Sequence, residues 1–158
     1  MSMFAFGDNE THYERDPIVS EFIVQALDEG VRNNEPWVRA ELENNKKLAK
    51  TLLWAFLSNN LTRGIEILAC DVGYDLRDSD IMVLRYMSSK WTFEDNLNPD
   101  GSSMSLEVLR RFYELGGAII PANNAWIDLI VNPDVLTDLF DIGLDGSTLL
   151  QKQSNSIF

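Results

Sequence analysis

The sequence contains very few residues of the types that cross-link a chain or bind transition metals. Cys70 is the only cysteine and His12 the only histidine among 158 residues. One cysteine cannot form an internal disulfide, which is typical of proteins from a reducing compartment. Metal clusters of the Cys/His type are excluded as well. We therefore expect a cytoplasmic protein, located in the cytoplasm of the host cell if its origin is viral.

Basic residues and long apolar runs are also scarce. Lysine and arginine total 13 against 25 acids, so the net charge is −12. Such a surface repels nucleic acid and anionic membranes and attracts basic protein surfaces, although the same acidity can serve solubility alone. No apolar run is long enough to span a bilayer. Residues 1–15 lack the pattern of a secretory signal and are predicted to be a flexible lead-in.

The common catalytic motifs are missing too. The sequence has neither a glycine-rich phosphate loop nor a G-x-S-x-G nucleophile elbow. His12 lies in a polar stretch without an apolar frame to position it as a base. Cys70 is predicted on the apolar face of a helix, with no activating histidine or lysine nearby. We expect no enzymatic activity, no catalytic residue and no cofactor.

A helix-ending pattern is present four times. Each copy has a glycine, an acid two residues before it, and apolar residues three, four and eight positions before it. The four glycines and their acids are Gly30 with Asp28, Gly73 with Asp71, Gly116 with Glu114, and Gly143 with Asp141. The apolar positions share one helical face, and glycine suits the left-handed residue after a helix. Spacings of 43, 43 and 27 residues between the glycines predict repeated helical units.

The last three copies each have a candidate partner helix upstream. These helices are predicted at residues 48–60, which have a broad apolar face, at residues 78–91, and at residues 123–131. Pro133 suits the first turn of the helix that follows the third of them. The predicted unit is a helix, a turn, a second helix, a glycine and a loop.

This unit resembles the ankyrin repeat. The closest copy is IEILACDVGYDL, residues 65–76, where Gly-Tyr-Asp stands in place of the Gly-Ala-Asp of the family. A second copy is LRRFYELGGAII, residues 109–120, and residues 145–150 look like the Asp-Gly-x-Thr-x-Leu opening of a further repeat. The Thr-Pro-Leu-His start of the family is missing from every copy, and the spacing is irregular.

The resemblance covers residues 44–150, with a fainter copy at residues 16–30. It implies an all-α fold of stacked helix-turn-helix repeats, ankyrin-like, with a loop inserted near residues 92–104. On this interpretation residues 16–150 form one repeat domain, and residues 151–158 form a C-terminal tail. Proteins of this family bind other proteins, so the resemblance also implies a protein partner.

The inserted loop matches the spacing of an EF-hand calcium loop. The candidate metal ligands are Asn96, Asn98, Asp100 and Glu107. The first ligand position is asparagine instead of aspartate, and only two of the four ligands are carboxylates. These departures favour the alternative, an ordinary turn followed by a helix that Ser105 caps.

Candidate partner-binding residues are aromatic side chains beside loops and acids at loop tips. They are Trp37, Asp75, Asp78, Asp80, Trp91, Phe93, Glu94, Asp95 and Asp145. Tryptophan is common at binding hot spots. The alternative for each tryptophan is a large ring that closes one end of the core.

The function predicted from these features is a non-catalytic, acidic protein–protein interaction module that binds a protein with a basic surface and inhibits it. It is expected to bind neither nucleic acid nor membranes. One alternative is a nucleic-acid mimic, a phage-type inhibitor of a nuclease or an RNA-guided complex. The acids before the four glycines would have to form a row for such mimicry. A second alternative is a weak calcium-binding module.

Overall fold

A computed structural model describes residues 17–77, 83–87, 90–93, 104–122 and 125–144. Most of these residues are helical, which confirms the prediction of a mostly helical protein. The helices are α1 (Pro17–Asn44), α2 (Lys46–Ser58), α3 (Thr62–Glu66), α4 (Leu106–Glu114), α5 (Trp126–Ile130) and α6 (Pro133–Asp141). A π-helical turn, Ile67–Asp71, continues α3. The strands are β1 (Val83–Met87), β2 (Lys90–Phe93) and β3 (Ala118–Pro121).

Helix α1 passes through Gly30, where the sequence predicted a helix end. Gly30 lacks the positive φ angle that Gly73, Gly116 and Gly143 have. The helix is interrupted instead at Asn34, whose backbone angles are not helical. Pro36 explains this position, because its ring lacks an N–H and crowds the preceding turn. The prediction that the fainter repeat copy, residues 16–30, ends a helix at Gly30 is therefore wrong.

Helix α2 lies at the centre of the core and confirms the helix predicted at residues 48–60. Asn45 caps it, since its side-chain oxygen accepts a hydrogen bond from the backbone N–H of Leu48 at 3.1 Å. All eight residues from Thr51 to Ser58 are buried. Helix α1 packs one face against α2. This face buries Ile23, Leu27, Val38 and Leu42 in the same hydrophobic cluster. A helix that is apolar on every side needs such a central position.

The three-stranded sheet is the main departure from the all-α prediction. The helix predicted at residues 78–91 is wrong, because Val83–Met87 and Lys90–Phe93 are antiparallel strands. The strand order is β2-β1-β3, and β1 pairs with β3 in parallel, with Val83 opposite Ala118. Leu144 adds an isolated parallel bridge to Ile119. The loop predicted from residue 92 thus begins with strand residues.

The three later glycines do end helices as predicted. Gly73, Gly116 and Gly143 all have φ angles between 78° and 108°. After α4 and α6, the N–H groups of Gly117 and Leu144 bond to the carbonyls of Phe112 and Leu139, each at 2.9 Å, as in a Schellman motif. Ser105 caps α4, because its hydroxyl accepts a hydrogen bond from the N–H of Val108 at 3.1 Å.

The predicted common apolar face of the four copies is not formed. Three positions before the glycine, Leu27 is buried, whereas Cys70, Tyr113 and Phe140 are exposed. For Cys70 the reason is the π-helical turn, Ile67–Asp71. Hydrogen bonds in a π-helix join residues five apart instead of four. The side chains that follow are therefore rotated relative to their positions in an α-helix. The expectation that Cys70 is buried is therefore wrong.

Candidate interaction surface

The last two helices expose an unusual number of aliphatic side chains. On α5, Ile127 is 63% exposed, Ile130 is 54% exposed and Val131, the residue after the helix, is 68% exposed. Residues three and four apart lie on the same side of a helix. The three side chains therefore form one continuous surface, which we name the α5 apolar face.

The opposite side of this helix pair is firmly packed. Trp126, Leu129, Leu139 and Ile142 are almost completely buried in the hydrophobic core. The ring of Trp126 lies 6.4 Å from that of Phe140. The ring of Tyr113, from α4, occupies the space that a Cβ on Gly143 would need. The α5 apolar face is thus presented by a helix that the core holds in place.

The two C-terminal helices also carry exposed acids. Asp128, Asp134, Asp138 and Asp141 are all exposed. The sequence has no lysine or arginine from residue 112 to residue 151. Within the described ranges, no cation forms a salt bridge with any of these four aspartates.

The acids of the N-terminal helices are arranged differently. Arg63 contacts Asp28 at 3.1 Å and Asp71 at 3.2 Å, and thereby connects α1 to the π-helical turn. Burial lowers the pKa of Arg63, but the nearby carboxylates, above all Asp28 and Asp71, together outweigh it, and the pKa is raised overall. Arg39 pairs with Glu35 one turn away on α1. Two of the four acids that precede the repeat glycines are therefore paired with the same arginine.

A similar pairing joins α3 to α4. The guanidinium of Arg111 donates hydrogen bonds of 2.7 and 3.1 Å to one carboxylate oxygen of Glu66. This contact is the main cause that raises the pKa of Arg111. Both residues line a surface cavity of about 280 Å³ with Thr62, Glu107, Arg110 and Glu114. Because the lining mixes arginine with glutamate, and Arg111 pairs with both Glu66 and Glu114, the cavity favours no particular class of ligand.

Trp91 was predicted as an exposed anchor, and this prediction is wrong. It lies in β2 with only 7% of its surface exposed. Its ring packs edge-on against Tyr86 of the neighbouring strand, with the ring centroids 4.8 Å apart. The alternative interpretation, a tryptophan that closes the core, is confirmed for this residue.

Trp37 and Asp75 are exposed, as an interaction residue requires. Trp37 follows the interruption of α1 and is 37% exposed. Asp75 accepts a hydrogen bond from the backbone N–H of Arg77 at 2.9 Å and borders a cavity of about 260 Å³ with Glu43, Lys46, Val72, Gly73 and Tyr74. Neither residue belongs to the α5 apolar face.

The other predicted partner-binding residues lie at the end of β2 or outside the described residues. Phe93 is the last residue of β2, paired with Leu84 of β1. Asp78, Asp80, Glu94, Asp95 and Asp145 lie outside the described residues.

Of the candidate calcium ligands, only Glu107 is described. It is exposed in the first turn of α4, while Asn96, Asn98 and Asp100 lie outside the described residues. Among the residues that the structure covers, no three histidine, cysteine or acidic side chains are grouped as a metal site would need.

Sequence reasoning missed the α5 apolar face, although a signal was present. The stretch AWIDLIV, residues 125–131, has an apolar residue at every position except Asp128. A helix of five residues at the edge of a core can bury only part of such a stretch. An excess of apolar residues on a short helix therefore indicates that some remain exposed.

Within the part of the chain that is described, no helix has both the length and the hydropathy needed to cross a membrane. Comparison with protein-family models, curated protein sequences and solved structures found no match for this chain.

Proposed function

We propose that this protein is a non-catalytic protein–protein interaction module whose partner carries a basic surface. The observation that supports this most directly is the α5 apolar face. Burying a fully exposed aliphatic side chain of this size contributes about 1.5–3 kcal/mol, from which the costs of association must be subtracted. Three adjacent aliphatic side chains thus provide the apolar centre that a protein interface requires.

The charge of the molecule supports the nature of the partner. A net charge of −12 accelerates encounter with a basic protein and repels acidic ones. If the basic surface of the partner is itself functional, covering it inhibits the partner. Inhibition is therefore part of the proposal.

We also propose that two helix pairs are degenerate ankyrin-like units. The pair α2 and α3, with its π-helical extension, is followed by the left-handed Gly73. The pair α5 and α6 is followed by the left-handed Gly143. Contacts between the helices within each pair support this interpretation.

The nucleic-acid mimic is the weaker hypothesis on this geometry. A mimic needs acids that are free to replace phosphates, in a row along one surface. Asp28 and Asp71, two of the proposed row, instead share Arg63. The calcium-binding alternative depends mainly on residues 96–100, and an increase in melting temperature on addition of calcium would support it.

The proposal can be tested by site-specific photocrosslinking in lysate of the native host. Benzoylphenylalanine replaces Ile130 on the α5 apolar face in one variant. In a matched control it replaces Phe22 of α1, which is 65% exposed. We expect one discrete protein adduct from position 130 and none from position 22. The absence of an adduct at position 130, or the same adduct from both positions, would contradict the proposal.

A further inference from the structure

The C-terminal helix pair combines two features on one short segment. Its aliphatic side chains are exposed side by side on α5, and its acids have no cationic partner among the described residues. Ile18 and Phe22 of α1 are also exposed, but α1 carries arginines, whereas residues 112–151 contain neither lysine nor arginine. Asp128 lies within α5, and Asp134 lies in the first turn of α6. Exposed apolar residues and exposed acids therefore lie close together along the chain.

From this arrangement we infer that the α5 apolar face binds a short amphipathic segment of the partner, in which large apolar side chains alternate with lysine or arginine. This inference depends on the proposed function and specifies the chemistry of the partner. The apolar side chains of the segment cover Ile127, Ile130 and Val131. Its cations pair with Asp128 and Asp134.

The size of the surface favours a segment over a broad globular interface. A five-residue helix is only about 7.5 Å long, at 1.5 Å per residue. Two turns of an amphipathic helix or a short extended peptide cover that length. A segment of this kind binds through a few apolar anchors at regular spacing.

The charge complementarity excludes two other occupants. A nucleic acid would place phosphates against Asp128 and Asp134. A second copy of this chain, bound through the same face, would bring the two sets of aspartates together and be repelled. A cationic segment with apolar side chains satisfies both features of the surface.

The test uses the full chain and a synthetic, fluorescently labelled 18-residue peptide of leucine and lysine, patterned as an amphipathic helix. The dissociation constant is measured by fluorescence anisotropy at low and high salt. In a second peptide every leucine is replaced by serine, which keeps the charge. We expect the second peptide to bind about tenfold more weakly, because it lacks the apolar anchors.

Matched double variants of the protein locate the site. Ile127→Ser with Ile130→Ser removes the apolar face, and Ile18→Ser with Phe22→Ser removes a similarly exposed pair from α1. We expect about tenfold weaker binding from the first variant and less than about a twofold change from the second. Circular dichroism of both variants checks that each remains folded.

The charges are tested in the same way. Asp128→Asn with Asp134→Asn should weaken binding about tenfold at low salt and less at high salt, because salt screens exposed charges. Glu21→Gln with Glu29→Gln removes two exposed acids from α1 as the control. Equal effects of the two pairs, or equal binding of both peptides, would show attraction by net charge alone and overturn the inference.

The outcome is separable from that of the proposed function. A crosslink at position 130 without selective binding of the leucine–lysine peptide would leave the interaction module in place and refute this partner chemistry. Selective binding of the peptide without a crosslink would refute the proposed cellular function.

Discussion

Arginine side chains bridge acids in residues 17–77, whereas residues 125–144 carry four exposed aspartates and neither lysine nor arginine. The two regions also differ in how completely they bury their apolar residues. Helix α2 is buried along its whole second half, while α5 leaves two isoleucines exposed. The first region also exposes apolar side chains, because Ile18 and Phe22 of α1 are 67% and 65% exposed. The regions therefore differ in their ion pairs and in the burial of α2 compared with α5.

The largest expected effect is a loss of stability on substitution in the first region, compared with a matched substitution in the second. Phe56 of α2 is completely buried against Gly64, where the ring leaves no room for a Cβ. We expect Phe56→Ala to lower the free energy of unfolding by about 3–5 kcal/mol, because it removes a buried ring and leaves a cavity. Ile130→Ala, on the exposed face, should change it by less than about 0.5 kcal/mol. Urea denaturation measures both, and similar losses would contradict the proposed difference between the regions.

A smaller loss of stability is expected when the ion pairs of the first region are removed. Arg63 connects Asp28 to Asp71, but its side chain is 55% exposed. Arg63→Met should therefore lower the free energy of unfolding by only about 1 kcal/mol. The difference from wild type should shrink at high salt, because salt screens exposed charges.

Arg32→Met is the control for this measurement. It removes a more exposed cation that contacts Asp28 at 3.4 Å from within the same helix. Its effect should stay below about 0.5 kcal/mol. If the Arg63 variant were as stable as wild type at low salt, the bridge would not stabilise the N-terminal region.

The smallest expected effect concerns Asp128, an acid of the second region that has no salt bridge among the described residues. Burial raises the pKa of the Tyr86 hydroxyl, and the negative charge of Asp128 raises it further. Asp128→Asn should lower this pKa towards its ordinary value while leaving the contribution of burial. NMR titration of tyrosine labelled with ¹³C at Cζ measures the change, with Asp138→Asn as the control. An unchanged pKa in Asp128→Asn would mean that the carboxylate does not act on Tyr86.

The sign of the related stability effect follows from the raised pKa. The folded state holds the phenolic proton more tightly than the unfolded state. This contribution to stability is complete below the ordinary pKa of tyrosine and is lost as the pH rises through the folded value. Asp128→Asn should make that alkaline loss smaller.

Features that depend on neighbouring residues were predictable from the sequence. The apolar run of α2, the Ser105 cap and the left-handed glycines at 73, 116 and 143 all depend on contacts within a few residues. Gly30 shows the limit of this approach. Glycine permits a helix to end but does not force it. The interruption lies at Asn34 instead, and Pro36, two residues later, is its cause.

The strands were not predictable from local periodicity. The segment IMVLRYM, residues 81–87, suits a strand by its β-branched and aromatic residues, yet its apolar spacing also fits a helix. The choice between strand and helix is decided by pairing with a strand more than 30 residues later, where Val83 lies opposite Ala118. Trp91 is buried for a more local reason, because the antiparallel pairing of β1 and β2 places it opposite Tyr86, five residues earlier.

The sequence by itself determined that the protein is mostly helical and strongly acidic, because composition and local spacing set both properties. It also determined where three of the helices end. Only the tertiary structure decided which acids pair with an arginine, as Asp28 and Asp71 do with Arg63, and which aspartates have no cationic partner among the described residues. It likewise decided that α5 lies at the edge of the core. The physical reason is that burial and charge pairing depend on residues far apart in the chain, and their distances are set only when the helices and the sheet pack together.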